Sequence, residues 1–544
     1  MKCTILQCSS CIYSCQCKPS GQTAKYEVFI ESFSYFILIL ILLFSTTWLY
    51  SWSVTNNDVD TINYFFYEQL GSWFNWYILI LSISVLIVAY LLTLFISGLL
   101  SVLLNPHRSL HMSLFHKIVV CITSGLGIAG YVLLFMFWSQ LLDQVAVSLT
   151  IIGWFIQISV LLLWVCSFFI LQNIAKLYHN KLTRSILAVA YFSIFIFLCL
   201  SPLLIKSPCI GNHALQSHKP VLFGHRGSPT EAPENTILSF KKAAKNQVYG
   251  FESDVRISLD GVPFLMHDPT LQRTTNVKDI FPTRKHHDAE TFTWKDLQQL
   301  NAGQWYLHDN PYLSNGALNK SDKEEISLQK IPLLVELAQL ATMHNTSIMF
   351  DLFKPPKDHP HHGDYVNITL QSLLTSGINQ TQVFWIYSEQ QDLVNKIAPN
   401  FKLVSRTYFK NLSSFGFDAI NMEFPYINKS MTDEVQVIAY TINDYWAYSW
   451  TWCTGAWAVT TDFSNRFLHV NQPCWYLTQT QYTAIWLSID AVCVMIILIS
   501  GYFMYRNYKK TSHKMFNNSS GQLYSGTYNR DIEGMELHTG TFGQ

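Results

Sequence analysis

Apolar residues are gathered into blocks along this chain. Five long apolar runs lie near residues 33–50, 76–99, 118–138, 147–171 and 186–205, and a sixth lies near 482–505. Each is close to the roughly twenty residues that cross a bilayer as a helix. Between the fifth and the sixth the pattern changes. Short apolar runs alternate with longer amphipathic stretches. Pro220-Val221-Leu222-Phe223 reads as a buried strand, and Gly224 allows a sharp exit from it. Residues 234–246 put Ile237, Leu238, Phe240 and Ala244 on one helical face. Residues 249–257 return to strand, and 263–266 form another that ends at His267. A long polar stretch, 274–330, reads as an insertion over the mouth of the domain. Residues 333–344 then predict a helix, and 347–352, 383–387, 402–405, 419–421, 435–440 and 457–462 predict strands.

Strands and helices alternating over about 250 residues fit a parallel (β/α)8 barrel. The expected fold is therefore α/β: a TIM-barrel ectodomain plus a six-helix transmembrane bundle. The boundaries follow: a cysteine-rich tail over 1–32, five spans within 33–205, the barrel over 219–470, a sixth span at 482–505 and a tail over 506–544. No internal repeat suggests a transporter, and the spans hold few ionisable residues, which argues against an ion path. Asp490 lies inside the sixth span and is expected to face the bundle, because a carboxylate facing lipid costs a few kcal/mol.

Composition agrees with a membrane protein carrying a folded polar part: 49% of residues are hydrophobic and 13% charged. The formal net charge is zero, so nothing argues for nucleic acid as a partner. The placement of charge is more informative. Arg108 and Lys117 follow span two; Lys176, Lys181 and Arg184 follow span four; Arg506, Lys509, Lys510 and Lys514 follow span six. The opposite short connections carry Asp58, Asp60, Glu68 and Asp143 and no Lys or Arg. The positive-inside rule then places both termini in the cytosol and the barrel outside, at the plasma membrane or a secretory-pathway membrane. Sequons at Asn319, Asn345, Asn367, Asn379, Asn411 and Asn428 agree. Cys209, Cys453 and Cys474 would lie in that oxidising space; three is odd, and the pair stays open. Cys3, Cys8, Cys11, Cys15 and Cys17 are read as S-acylation sites or as part of an unstructured tail. Nothing fixes an oligomeric state.

The candidate chemistry lies between Phe223 and Asp268. His225 and Arg226 follow one strand and His267 follows another. Glu252 and Asp254 are two apart, so on a strand both point to one side. Two converging carboxylates repel unless a cation sits between them, and hard oxygen ligands suit Mg2+ or Ca2+. A divalent cation with Arg226 would clamp a phosphate, and two histidines could carry protons. The combination points to phosphodiester cleavage. His359, His361 and His362 are read as a solvated loop.

The ordered run Gly224-His225-Arg226-Gly227, Pro233-Glu234-Asn235-Thr236, Glu252-Ser253-Asp254-Val255, Asp260-Gly261-Val262-Pro263 and His267-Asp268-Pro269-Thr270 resembles the glycerophosphodiester phosphodiesterase family, over about residues 219–470. A barrel inserted before the last of six spans is similar to its multi-span membrane subgroup. The resemblance implies His225 and His267 as the acid–base pair, and Arg226, Glu234 and Asn235 as substrate contacts. It implies Glu252 and Asp254 as metal ligands, with Asp351 as the third carboxylate and His267 as a further candidate ligand. The substrate it implies is a glycerophosphodiester, cleaved to glycerol 3-phosphate and an alcohol, or a lipid-linked phosphodiester. Two positions depart from the family pattern: Phe353 replaces a basic residue, and Tyr440 replaces a tryptophan. They leave a catalytically silent, partner-binding ectodomain as the alternative.

Overall fold

The computed structural model describes residues 12–14, 25–104, 112–177, 181–211, 218–386 and 389–528. The five N-terminal cysteines lie outside them. The chain forms two compact units, residues 1–152 with 206–479, and residues 153–205 with 480–544.

The first unit contains the barrel. Its strands are β1 (Val221–Gly224), β2 (Gly250–Ile257), β3 (Pro263–Leu265), β4 (Ser347–Leu352), β5 (Val383–Ile386), β6 (Lys402–Ser405), β7 (Ala419–Glu423), β8 (Gln436–Tyr440) and β9 (Ala458–Thr461). Eight of them are parallel and close into a ring, because β1 pairs with β9 on one side and β2 on the other. The exception is β3, which pairs antiparallel with β2. Residues 263–266 thus build a strand, but one outside the ring: Gly261 turns the chain straight back, and a direct return can only be antiparallel. His267 ends this arm rather than a barrel strand.

The barrel interior is apolar. Phe223, Met349, Phe384, Val404, Ile438 and Ala458, from six different strands, fill it. A larger core lies between the strands and the outer helices, including Phe240, Phe251, Leu337, Leu370 and Trp385. The first outer helix begins at Ile237, three residues later than its apolar spacing suggests, where the Thr236 hydroxyl accepts from the Ser239 amide. The 274–330 stretch is an ordered insertion. It packs Phe292 and Leu297 against Phe264 and Leu271 of the preceding arm, and it gathers a second apolar cluster around Trp305, Tyr306 and Ile326. The histidine loop is less solvated than expected: His359 is buried with Nε2 3.2 Å from the Glu290 carbonyl, and His361 and His362 are half-buried.

Among the described residues, six helices are long and apolar enough to cross a membrane. In the first unit, helices Lys25–Val54, Trp76–Leu104 and Leu114–Phe137 pack closely. A Cβ on Gly130 would come within 2.7 Å of the Trp48 ring, so a larger residue would push these helices apart. The first helix does not end in a plain loop. It passes through a 3-10 turn, Thr55–Asp58, into a further helix, Val59–Leu70. The pattern of apolar runs does not mark this helix. In the second unit, Leu161 and Val165 pack with Phe195, Cys493 and Ile497. There the Trp486 indole donates to the Cys199 carbonyl at 2.8 Å, and Asp490 is half-buried, with its Oδ1 enclosed and without a hydrogen-bond partner among the described residues.

Cys209 and Cys453 form a disulfide across a 244-residue separation, leaving Cys474 exposed and outside it. Closing so long a loop constrains the unfolded chain strongly, by about 2–5 kcal/mol. Cys453→Ala should therefore lower the thermal midpoint of the barrel by several degrees. Peptide mapping without reductant should recover Cys209 linked to Cys453, and recovery of both as free thiols would contradict the pairing.

Candidate active site

All the sequence-predicted residues come from the C-terminal side of the barrel: Glu252 and Asp254 on β2, Asp351 on β4, His225, Arg226, Glu234 and Asn235 in the segment after β1, and His267 at the end of the β3 arm. The segment after β1 turns at once. Arg226 and Gly227 both have positive φ, and a Cβ on Gly227 would clash with the Ser239 hydroxyl. The turn brings the Arg226 amide to the Glu252 carboxylate at 3.0 Å. Asn235 also has positive φ. Its amide nitrogen donates to Asp254 at 3.0 Å, and its oxygen accepts from Ser253 at 2.7 Å. Asn235 is therefore buried and oriented beside Asp254.

Glu252, Asp254 and Asp351 converge: one carboxylate oxygen from each lies within 4.8 Å of the others. Asp254 and Asp351 are register partners on β2 and β4, which places them side by side. His267 is not in this group of three. Burial, and then the charge of Asp254, push the Glu252 pKa up to about 8. Burial also raises that of Asp351, against the opposing pull of Arg406, whose guanidinium lies 2.6 Å away. Burial would raise Asp254 too, but Arg226, His267 and the Asn235 hydrogen bond together outweigh it and hold it below the usual range. Three convergent oxygen donors with this excess of negative charge fit a hard divalent cation.

A chain of alternating charge leads away from Asp254. Arg226 lies 3.2 Å from Asp254 through Nε and donates to Glu234 through Nη1 at 2.9 Å. Glu234 also accepts two bonds from Arg273, at 2.7 and 2.8 Å. Arg273 then grips both oxygens of Asp268 at 2.8 Å. Asp268 lies 2.9 Å from His267 Nδ1. Burial opposes ionisation of Glu234, yet the two arginines hold its pKa well below the carboxylate range. Glu234 and Asn235 thus direct much of their bonding capacity at neighbours in the site.

His225 has its own partner. Its Nδ1 lies 2.6 Å from Asp462, which follows β9, and its Nε2 lies 3.9 Å from Glu252. Burial would lower the His225 pKa, but Asp462 overrides it and lifts the value to about 9. Asp462 in turn accepts from Asn443 at 2.6 Å. Neither Asp462 nor Arg273 was singled out from the sequence. Arg273 lies within the family-like run that extends from His267 through Thr275, with no role assigned to it, and Asp462 had only its place at the end of the last predicted strand to mark it.

The two histidines, Arg226, Glu234 and Arg273 line a pocket of about 210 Å3. Its other wall comes from the segment after the first membrane helix, including Asn57, Asp60 and Tyr64, and from Tyr312 of the insertion. Tyr64 meets the His267 ring edge-on at 5.9 Å between centroids.

Two histidines, an acidic triad and an arginine thus gather at the C-terminal mouth of a closed parallel barrel. Residues 225–466 match the glycerophosphoryl diester phosphodiesterase family. The chain is 34% identical over 512 residues to glycerophosphodiester phosphodiesterase domain-containing protein 5 of Gallus gallus, covering 92% of this chain and 84% of the relative. It is 33% identical to a glycerophosphoinositol inositolphosphodiesterase of Mus musculus, covering 92% and 93%. It is 31% identical to glycerophosphodiester phosphodiesterase domain-containing protein 4 of Mus musculus, covering 91% and 84%. The chain belongs to the glycerophosphoryl diester phosphodiesterase family.

Proposed function

We propose that this protein is a membrane-anchored, divalent-cation-dependent phosphodiesterase with its catalytic barrel on the outer face. Its substrates are glycerophosphodiesters, cleaved to glycerol 3-phosphate and an alcohol, or lipid-linked phosphodiesters. The observation that carries this is the pairing of two carboxylate-held histidines with the acidic triad and Arg226 around one pocket. The relative named for glycerophosphoinositol supports a glycerophosphodiester substrate.

Glu252, Asp254 and Asp351 would hold Mg2+ or Ca2+, which supplies Lewis-acid stabilisation of charge on the phosphate. Arg226 adds positive charge to the same side of the pocket. His225, kept protonated at neutral pH by Asp462, donates its proton to the departing alcohol oxygen. His267, oriented by Asp268, accepts the proton of the nucleophile, which is water or a hydroxyl of the substrate's glycerol. Arg256 supports this role from behind, since its guanidinium donates to the His267 carbonyl at 2.7 Å.

The reading is tested with full-length protein and a panel of glycerophosphodiesters. Asp254→Ala should abolish hydrolysis and cation binding together while the protein still reaches the membrane. His225→Ala and His267→Ala should each lower turnover by about a hundredfold or more. Near-normal turnover in both histidine variants would refute the paired-histidine mechanism.

A pH dependence follows from Glu252. A cation must displace its proton wherever the pH lies below about 8. The apparent affinity for Mg2+ or Ca2+ should therefore rise by up to about tenfold per unit as pH climbs towards that value, then level off. Calorimetric titration at several pH values measures this; affinity independent of pH would disconnect Glu252 from the cation.

The outer-face orientation rests on the charge asymmetry of the short connections and on the sequons. The asparagines at 319, 345, 367, 379, 411 and 428 are all exposed. The disulfide in the barrel is consistent with an oxidising space. Glycosidase treatment should sharpen and lower the mass of the protein. Tags at both termini should stain only after permeabilisation, and staining of intact cells by either tag would reverse the orientation.

A further inference from the structure

The segment that joins the first two membrane helices carries one side chain engaged almost wholly with the barrel. Asn57 is completely buried. Its oxygen accepts from the backbone amides of Asn443 at 2.7 Å and Asp444 at 3.2 Å. Its amide nitrogen donates to the Thr441 carbonyl at 2.7 Å. Asn57 therefore binds the turn after β8 at three backbone points. Its own carbonyl takes a further bond, from the Asn443 side chain at 3.1 Å.

That turn leads directly to the first histidine. The Asn443 side-chain nitrogen shares its two hydrogens between the Asn57 carbonyl and Asp462 Oδ2, the latter at 2.6 Å. The Asn443 side-chain oxygen accepts from the Asp462 amide at 2.9 Å. Asp462 Oδ1 holds His225 Nδ1 at 2.6 Å. Asn443 and Asp462 are buried as well, so water does not readily replace a missing partner. Asn57 thus stands at the far end of an unbroken chain that reaches the histidine ring: Asn57, Asn443, Asp462, His225.

We infer that Asn57 is a positioning residue for catalysis: acting from the membrane-proximal segment through Asn443 and Asp462, it fixes the orientation of His225. This rests on the phosphodiesterase reading, in which His225 carries a proton. Without Asn57 the 441–444 turn has three backbone groups to satisfy another way, and Asn443 loses its frame. Asp462 keeps its charge but loses its fixed direction. Proton transfer depends steeply on such alignment, and a shift of about 1 Å can cost on the order of a hundredfold in rate. Asn57 itself lines the pocket but makes none of the phosphate-facing contacts proposed for Arg226, so substrate affinity should change little.

The experiment compares full-length wild type, Asn57→Ala, Asn57→Ser, Asp462→Ala and the Asn57→Ala/Asp462→Ala double variant, each normalised to folded protein at the membrane. Asn57→Ala should lower kcat by about tenfold or more with KM within about threefold, and Asn57→Ser, which retains an acceptor oxygen, should recover part of the loss. Because both residues act through one histidine, the double variant should turn over within about threefold of Asp462→Ala alone. Asn57→Ala with kcat within about twofold of wild type would overturn the inference, as would a loss that multiplies with that of Asp462→Ala. Should Asn57→Ala fail to accumulate, Asn57→Ser with and without Asp462→Ala supplies the same two comparisons. Full activity in Asp462→Ala would instead strike the histidine reading itself, so the two failures are distinguishable.

Discussion

The mouth of the barrel is governed by the need to neutralise buried like charge. Glu234, Glu252, Asp254, Asp268 and Asp462 are all nearly inaccessible to water, and Asp351 is only partly open to it. Carboxylates so close cannot all ionise without cations between them. Two arginines meet most of the demand, giving the sequence Asp254, Arg226, Glu234, Arg273, Asp268, His267 in space. Each link is within hydrogen-bond or ion-pair distance, and removing one partner would leave a buried charge uncompensated, at about 3–5 kcal/mol. The chain therefore does two things. It favours the ionised form of Asp254, and it links that carboxylate to the second histidine. Burial disfavours ionisation of Glu252 and Asp351, so these are the carboxylates that a divalent cation would have most to stabilise.

The architecture explains why these groups can meet. Parallel strands in a closed barrel end at the same face, so residues far apart in sequence arrive together. Asp254 and Asp351 sit opposite each other because β2 and β4 are neighbours in register. Asp462 reaches His225 because β9 closes on β1. The antiparallel β3 arm serves another purpose. By leaving the ring, it carries His267 outward over the mouth instead of into the strand layer, and Arg256 anchors its carbonyl there.

What was legible in the sequence follows from distance along the chain. The barrel strands, the six long apolar helices and the Glu252–Asp254 pair are local patterns with a period, and these can be read directly. The antiparallel sense of β3 could not, because three residues carry no directional signal. The helix Val59–Leu70 was hidden inside what looked like a short acidic connection. Asp462, Arg273 and the choice of Cys453 for Cys209 depend on which strands become neighbours. Asn57 is the extreme case. Its partners lie 384 to 387 residues away, beyond the reach of any local pattern.

The two departures from the family pattern take on definite meanings in this setting. Phe353 replaces a basic residue near the third carboxylate, but positive charge is not missing there, since Arg406 reaches Asp351 from beyond β6. The Phe353 ring instead covers the Arg256 guanidinium at 4.2 Å and faces the His267 ring at 6.3 Å. It thus packs the arginine that anchors the second histidine. Tyr440 ends β8, immediately before the turn that Asn57 and Asn443 organise. A silent binding module would have no need to preserve two carboxylate–histidine pairs, a converging acidic triad and the supports behind each. Their presence together around one pocket, with Phe353 packed on Arg256 and Arg406 beside Asp351, is what argues for a working hydrolase.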